Sequence, residues 1–218
     1  MTTLPDESPR PDASPQQRGG VVRHLPIGAD DAALANALRD GHSRARAELY
    51  DRHAPHVRRV LVRVIGFSPD LDDLLQDTFA AAFASVGSLS DGSKLRGWLT
   101  SVAIYTARGW LRKHSRRRWL VFTDATPERE APVASGEVRE ALRETYAVLD
   151  RMRADERVAF ALRYIDGMQL EEVAAAARCS LATIKRRLAR AERTFTTHAK
   201  KNPALASWLA AGARWGKP

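Results

Sequence analysis

Cysteine is almost absent from this 218-residue chain, and so are the marks of a membrane protein. Cys179 is the single cysteine, which excludes an intrachain disulfide and a zinc site built on several thiolates. No run of about 18 apolar residues occurs, so the sequence predicts no membrane-spanning helix. The first twenty residues lack the apolar core of a signal peptide. These absences predict a cytoplasmic protein that does not insert into a membrane.

Catalytic signatures are missing as well. The chain has no phosphate-binding GxxxxGK[ST] loop, no GxSxG elbow and no GxGxxG turn. His53 and His56 are the nearest approach to a metal site, but no third ligand follows at a familiar spacing, so we expect both at the surface or as helix caps. The sequence therefore predicts no enzyme, no metal and no cofactor.

Strand signals are lacking, whereas helical periodicity fills most of the chain. No sustained alternation of apolar and polar residues occurs, but residues 29–119 and 137–198 repeat apolar side chains at helical spacing. Residues 1–28 are predicted to be disordered and residues 120–136 to form a linker, because both are rich in proline and small residues without periodicity. The predicted fold class is all-α, with two small helical domains joined by a flexible linker. Residues 199–218 form a tail whose packing the sequence does not decide.

Positive charge exceeds negative charge, and one predicted helix concentrates it. The net charge is +9, from 35 Lys and Arg against 26 Asp and Glu, which favours nucleic acid or an anionic membrane surface as partner. Residues 94–118 contain eight cations and no acidic residue. At spacings of four, three and four residues, one face of this helix carries Ser101, Tyr105, Arg108 and Arg112.

Cations on this face suit DNA phosphates, and the aromatic ring suits stacking on an unpaired base. Trp98 and Trp110 fall on the opposite, apolar side and are predicted to be core residues. A membrane-surface helix is the alternative, although its cations would be segregated from a broad apolar face.

An acidic face is predicted on the preceding helix, from Asp70 to Val86. Its apolar stripe leaves Asp73, Gln76 and Asp77 on the reverse side. In so basic a protein, this face suits a partner rich in arginine. The alternative is that these carboxylates only complement the helix dipole near its N-terminus.

Residues 167–195 have the pattern of a helix-turn-helix. Ser180 is a good N-cap for the second helix, and an apolar stripe from Leu181 to Phe195 faces the core. In this motif the second helix reads base edges with its N-terminal residues, and flanking cations hold phosphates. An ordinary amphipathic helix with a solvated basic face is the alternative. The outward side chains are Ala182, Thr183, Arg186, Arg190 and Arg193, with Lys185 and Arg187 at the flanks.

Taken in order, these motifs resemble bacterial RNA polymerase sigma factors of the extracytoplasmic-function (ECF) type. The segment DLDDLLQDTFAAAF, residues 70–83, resembles the family's D-x-x-D-L-x-Q-[DE]-[TV]-F signature in region two. The segment that begins KLRGWL at residue 94 resembles its [FL]-R-x-W-L basic helix, and residues 150–195 resemble its region four. The resemblance covers about residues 30–198 and implies a non-enzymatic subunit that directs promoter-specific transcription initiation.

The resemblance also implies a role for each group of residues. Asp73, Gln76 and Asp77 would bind the clamp helices of the largest subunit of core RNA polymerase. The linker 120–136 would pass toward the polymerase active-site channel, and an anti-sigma factor is a further expected partner. The minus-ten element, opened to a single strand, would be held by Ser101, Tyr105, Arg108, Arg112, Lys113 and Arg116. The duplex minus-thirty-five element would be read by Ser180, Ala182, Thr183, Lys185, Arg186, Arg187 and Arg190.

Four positions depart from the family pattern. Ile104 and Tyr105 stand where many relatives carry Arg-Asn, and Gln169 stands where Ser or Thr is usual. Arg178 replaces a common glycine, which costs about 1 kcal/mol if the turn is left-handed. Two other function classes stay open at this point. One is a free-standing helix-turn-helix regulator with an N-terminal sensing or dimerisation domain, and the other is a nucleic-acid enzyme, for which the chain lacks carboxylate clusters.

Overall fold

The computed structural model describes residues 30–120 and 136–210, and every regular element in these two ranges is helical. This confirms the predicted all-α class. The predicted tail 1–28 and linker residues 121–135 lie outside the described residues. No helix in the described ranges is long and apolar enough to cross a membrane. The α-helices of the described ranges are α1 (Asp31–Arg39), α2 (Ser43–Ile65), α3 (Leu71–Ser85), α4 (Leu95–Leu120), α5 (Gly136–Leu149), α6 (Ala154–Phe160), α7 (Leu170–Ala176), α8 (Leu181–Ala199) and α9 (Pro203–Ala210).

Helices α1 to α4 form an N-terminal bundle, in which α2, α3 and α4 pack on one another. The apolar stripe predicted for α3 is its buried side, with Leu74, Leu75 and Phe79 in the core. Trp98 of α4 is buried as predicted. Trp110 is half-buried, and its indole Nε1 donates a hydrogen bond to the Asp70 carboxylate at 2.9 Å. This bond connects α4 to the start of α3.

The prediction that His53 and His56 lie at the surface or cap a helix is wrong. Helix α2 continues through Pro55 and carries both rings into its packed sides. His53 is buried 3.2 Å from the Asp31 carboxylate of α1, and His56 lies 2.8 Å from the Thr100 hydroxyl of α4. Burial lowers the pKa of both imidazoles, that of His56 to about 4. Local sequence did not show this because the contacts come from other helices.

Helices α5 to α9 form a C-terminal bundle that contains the helix-turn-helix, α7 and α8. Ser180 caps α8 as predicted, since its Oγ accepts a hydrogen bond from the Thr183 amide at 3.2 Å. Arg178 in the turn has a φ of +50°, so the left-handed strain expected for a non-glycine residue is present. Part of the C-terminal tail packs back on this bundle, because α9 buries Leu205 in a cluster with Phe160.

The two bundles pack against each other through a continuous apolar core. One cluster of buried side chains extends from Leu34 of α1 to Leu188 of α8, and α4 contacts both α6 and α7. The domain arrangement in the absence of polymerase, which the sequence left open, is therefore closed in this structure. Helices α6 and α7 of the C-terminal bundle lie directly on the basic helix α4.

Polar contacts from the C-terminal bundle cap the end of α2. Tyr146 donates its hydroxyl hydrogen toward the carbonyl oxygens of Val62 and Arg63, at 3.0 and 3.3 Å. The buried Arg157 guanidinium donates to the carbonyls of Val64 and Ile65, both at 2.7 Å, and also pairs with Asp150. The last carbonyls of a helix have no partner within the helix and carry its negative dipole end. A cation from the other bundle satisfies both requirements here.

Gly66 makes room for this cap. It follows α2 with a φ of +81°, and a Cβ at this position would lie 2.9 Å from the Tyr146 ring. A side chain here would therefore be strained and would displace the tyrosine. The contact shows how closely the two bundles approach at this point.

Candidate nucleic-acid interface

The acidic face of α3 lies in solvent. Asp73, Gln76 and Asp77 are all exposed, opposite the buried stripe of the same helix. The neighbouring Asp72 pairs with Arg58 of α2, so it contributes less free charge to this face. Asp73 and Asp77 border a small notch that Lys113 of α4 closes on the other side. The face is accessible to a protein partner from the outside of the bundle.

On α4, the two residues that depart from the family pattern have opposite environments. Ile104 is 1% exposed and belongs to the core, whereas Tyr105 is 74% exposed. Only Tyr105 can therefore touch a ligand from this pair. A phenol ring so exposed on a basic helix offers a flat face for stacking.

The arginines that follow Tyr105 on α4 are engaged within the protein. Arg108 Nε lies 2.8 Å from an Asp155 carboxylate oxygen, and Arg112 Nη2 lies 3.3 Å from the other. Arg187 of α8 approaches the second oxygen at 3.6 Å. Asp155 belongs to α6, so one carboxylate from the C-terminal bundle faces three guanidinium groups. We call these four residues the Asp155 cluster.

Arg108 is the most enclosed arginine of the cluster. Its guanidinium also donates to the Ala177 carbonyl at 3.3 Å, and its side chain is 18% exposed. Burial lowers the pKa of Arg108, and the Asp155 charge opposes that shift. The guanidinium stays charged, because an arginine pKa is too high for deprotonation in a protein. The position predicted to hold single-stranded DNA is thus occupied by a carboxylate in this structure.

The remaining predicted residues of α4 are more accessible. Ser101 is half-buried and donates its hydroxyl to the Gly97 carbonyl at 3.2 Å. Lys113 and Arg116 are exposed. A groove of about 380 Å³ beside Tyr105 is bounded on its far side by the α7–α8 turn, at Ala177 and Arg178. The turn of the helix-turn-helix therefore forms one wall of the space next to the exposed tyrosine.

The outer face of α8 is open to solvent. Its predicted core residues Ile184 and Leu188 are buried, which turns the opposite side outward. Arg187 is half-buried and points to the Asp155 cluster, and Thr183 is half-buried beside the Ser180 cap. The exposed residues of the predicted set are Ser180, Ala182, Lys185, Arg186 and Arg190.

Sequence reasoning missed the residues that join the bundles. Asp155 reads as a carboxylate at a helix start, a position where the dipole already favours it. Tyr146 and Arg157 read as ordinary amphipathic positions. Their partners in the N-terminal bundle lie 43 to 93 residues away in the chain, so no local pattern could have identified them. Within the described residues, no group of three His, Cys, Asp or Glu side chains is placed to hold a metal.

Comparison with known proteins identifies the family. Residues 49–117 match Sigma-70 region 2, and residues 142–195 match Sigma-70 region 4. The ECF RNA polymerase sigma-E factor of Escherichia coli is 28% identical over 173 residues, which cover 74% of this chain and 90% of that protein. The RNA polymerase sigma factor CarQ of Myxococcus xanthus is 32% identical over 140 residues, which cover 63% of this chain and 79% of CarQ. The chain belongs to the ECF RNA polymerase sigma factors.

A solved sigma factor shares the fold. The structure of RpoE in complex with the anti-sigma factor NepR from Bartonella quintana matches with a TM-score of 0.54 and 26% identity, covering 72% of this chain and 97% of that one. Family membership makes this protein a DNA-binding initiation factor that acts with core RNA polymerase. Sigma factors are known as non-enzymatic initiation factors, so family membership favours this function over the free-standing regulator and the nucleic-acid enzyme.

Proposed function

We propose that this sigma factor anchors to core polymerase through the α3 acidic face and reads two promoter elements, one with α4 and one with α8. In this proposal residues 29–119 act as region two and residues 137–198 as region four. The observation that carries it is the exposure of the family-matching side chains on α3 and α8, in a chain whose family is established.

Helix α8 reads the minus-thirty-five element in the major groove. Its first turn is offered outward by the Ser180 cap, and Arg186 is exposed one turn further on. An arginine at this place can bind a guanine through two hydrogen bonds. Lys185 and Arg190 flank it and are suited to phosphates, which position the helix without reading sequence. Thr183 and Ala182 supply short side chains for close contact with base edges.

Helix α4 captures the minus-ten element as a single strand. Tyr105 stacks on an unpaired base, and the cations Arg108, Arg112, Lys113 and Arg116 hold the backbone. Extruding a base costs a few kcal/mol in lost stacking. No covalent chemistry is required, because stacking and phosphate contacts on α4 can offset that cost.

The α3 acidic face binds the clamp helices of the largest polymerase subunit. Asp73 and Asp77 provide exposed negative charge, and Gln76 lies between them on the same side of the helix. An anti-sigma factor is the further partner, as the complex of RpoE with NepR suggests by similarity. Such an inhibitor would act by covering surfaces that polymerase needs.

The test is transcription reconstituted from purified parts. Core polymerase, this protein and a promoter selected by mapped transcript starts should give a specific run-off product. Substitutions in α8 should change which minus-thirty-five sequences support transcription. Substitutions in α4 should change which minus-ten sequences support it. If promoter choice stays the same when either helix is altered, the assignment of that helix is wrong.

A further inference from the structure

The Asp155 cluster joins residues with two different tasks. Arg108 and Arg112 belong to the α4 face, and Arg187 flanks the recognition face of α8. In the closed structure all three guanidinium groups face the carboxylate of Asp155 at 2.8 to 3.6 Å. Arg112 donates a hydrogen bond to this carboxylate, whereas Arg108 and Arg187 face it as ion pairs. A phosphate oxygen makes the same kinds of charged contact to arginine. Asp155 therefore occupies the place that a DNA phosphate would take.

Partial burial strengthens the ion pairs between Asp155 and these arginines. The side chains of Arg108, Arg187 and Asp155 are 18%, 23% and 28% exposed, so solvent screens their attraction less than that of surface pairs. The α7–α8 turn adds a second obstruction, because the Ala177 carbonyl accepts from Arg108 and the turn walls the groove beside Tyr105. A strand cannot reach Arg108 while region four lies in this position.

The closed form also cannot reach both promoter elements. Their names place them about 25 base pairs apart, which is roughly 85 Å at 3.4 Å per pair. A compact body of about 170 residues has a radius of gyration of about 15 Å, and hence a diameter near 40 Å. The bundles must separate before both elements are read. Exposed Arg186 and Arg190 show that closure leaves most of the α8 face open, so it obstructs α4 selectively.

We propose that Asp155 is an internal competitor of the minus-ten strand: it holds region four closed on α4, and single-stranded DNA opens the protein by replacing it on Arg108 and Arg112. This inference rests on the proposed role of α4. By reciprocity, whatever weakens the Asp155 contact strengthens DNA binding, and DNA binding separates the bundles.

Asp155→Asn tests the competitor directly, and Glu171→Gln is its matched control. Asp155 is the second residue of α6, and Glu171 is the second residue of α7. Both substitutions remove one negative charge from the first turn of a helix in the C-terminal bundle, but Glu171 is exposed and outside the Asp155 cluster. Any gain in affinity that comes from net charge alone appears in both variants.

The measurement combines DNA binding with the distance between the bundles. Donor and acceptor dyes are placed at Asp40→Cys and Lys201→Cys, both exposed, in a Cys179→Ser background. The protein is titrated with a single-stranded 12-mer at low ionic strength, and energy transfer and the anisotropy of the oligonucleotide are followed together. Circular dichroism and urea unfolding verify that each variant is folded.

We expect the oligonucleotide to lower energy transfer in the unsubstituted chain. The midpoint should move to about five- to thirty-fold lower DNA concentration in Asp155→Asn, because apparent affinity scales with the open fraction and the lost contacts are partly buried ion pairs. Glu171→Gln should shift it less than about twofold, as a single exposed charge does.

Two results would overturn the inference in distinguishable ways. If DNA binds with the same midpoint in Asp155→Asn as in the control, or binds without changing energy transfer, the competition is wrong while the role of α4 stands. If no variant binds the single strand, the assignment of α4 fails as well.

Discussion

Replacing Arg157 by methionine tests whether one buried cation holds the two bundles together. The residue is 2% exposed, and its guanidinium donates to the Val64 and Ile65 carbonyls at the end of α2 and also pairs with Asp150. Methionine preserves the unbranched apolar stem and removes the charge. The substitution therefore isolates the guanidinium from the packing of the side chain.

The expected cost follows from what the structure leaves behind. The Asp150 side chain is 6% exposed, and removing one partner of a buried ion pair costs about 3–5 kcal/mol. The two carbonyls also lose hydrogen bonds to a charged donor, each worth about 1.5–3 kcal/mol. These losses overlap, because water can reach the end of α2 once the interface loosens. We expect the free energy of unfolding to fall by about 3–5 kcal/mol, a large part of the 5–15 kcal/mol typical of a domain.

Urea unfolding followed by circular dichroism measures this loss. The unsubstituted protein should unfold in one transition, since one apolar core extends through both bundles. Arg157→Met should broaden or split the transition, because the bundles are then less coupled. Arg151→Met is the matched control: it makes the same chemical change at an exposed arginine nearby and should stay within about 0.5 kcal/mol.

A double-substitution cycle sharpens the test. Combining Arg157→Met with Asp150→Leu removes both charges, so it should recover part of the stability that Arg157→Met loses. If Arg157→Met costs less than about 1 kcal/mol and the double variant is no better, the guanidinium does not hold the interface, and the reasoning is refuted.

Four further outcomes are expected. Asp77→Arg should abolish co-purification with core polymerase without unfolding the protein, because the residue is exposed; Asp51→Arg, an exposed site on α2, is the control. Tyr105→Ala should impair promoter opening more than closed-complex binding, as permanganate reactivity of promoter thymines measures. Arg186→Ala should cost about 1–3 kcal/mol and relax discrimination at one upstream position. Burial lowers the pKa of His56 from 6.5 to about 4, so between these pH values the unfolded chain binds more protons than the folded one. The free energy of unfolding should therefore decline by about 1–2 kcal/mol as pH falls from 6.5 to 4. In His56→Asn the urea concentration at the unfolding midpoint should depend less on pH over that range.

Each of these expectations has a contradicting result. Normal polymerase binding by Asp77→Arg would remove the reason for assigning the acidic face. Equal loss of closed and open complexes in Tyr105→Ala would show a role in general binding rather than in strand capture. Unchanged promoter preference in Arg186→Ala would count against α8 as the reading helix, and a pH dependence identical in His56→Asn would place the titrating group elsewhere.

Helical periodicity was sufficient for the elements of this fold. The stripe in α3 predicted its buried side, and the same stripe implied that Asp73, Gln76 and Asp77 face solvent. Ser180 was recognisable as the start of α8 because an N-cap depends only on residues within one turn. The sequence left the shape of the turn at Arg178 open, and the positive φ of this residue shows that the turn is left-handed.

Periodicity could not reveal which polar side chains find partners from other helices. His53 and His56 lie on one helix, yet their environments come from α1 and α4. Ile104 and Tyr105 are adjacent in sequence, but one is in the core and the other in solvent. A helical wheel places a side chain on a face, and only packing decides what covers that face.

The amino-acid sequence by itself thus determined the helices, their caps, the helix-turn-helix and the charge of each outer face. All of these depend on residues within a few turns of one another. Long-range contacts decided that the two bundles pack on each other, that Arg157 caps α2, and that Asp155 forms ion pairs with arginines of α4 and α8. The reason is that ion pairs and helix caps form between groups brought together by a shared apolar core, and that core exists only after both halves of the chain have folded.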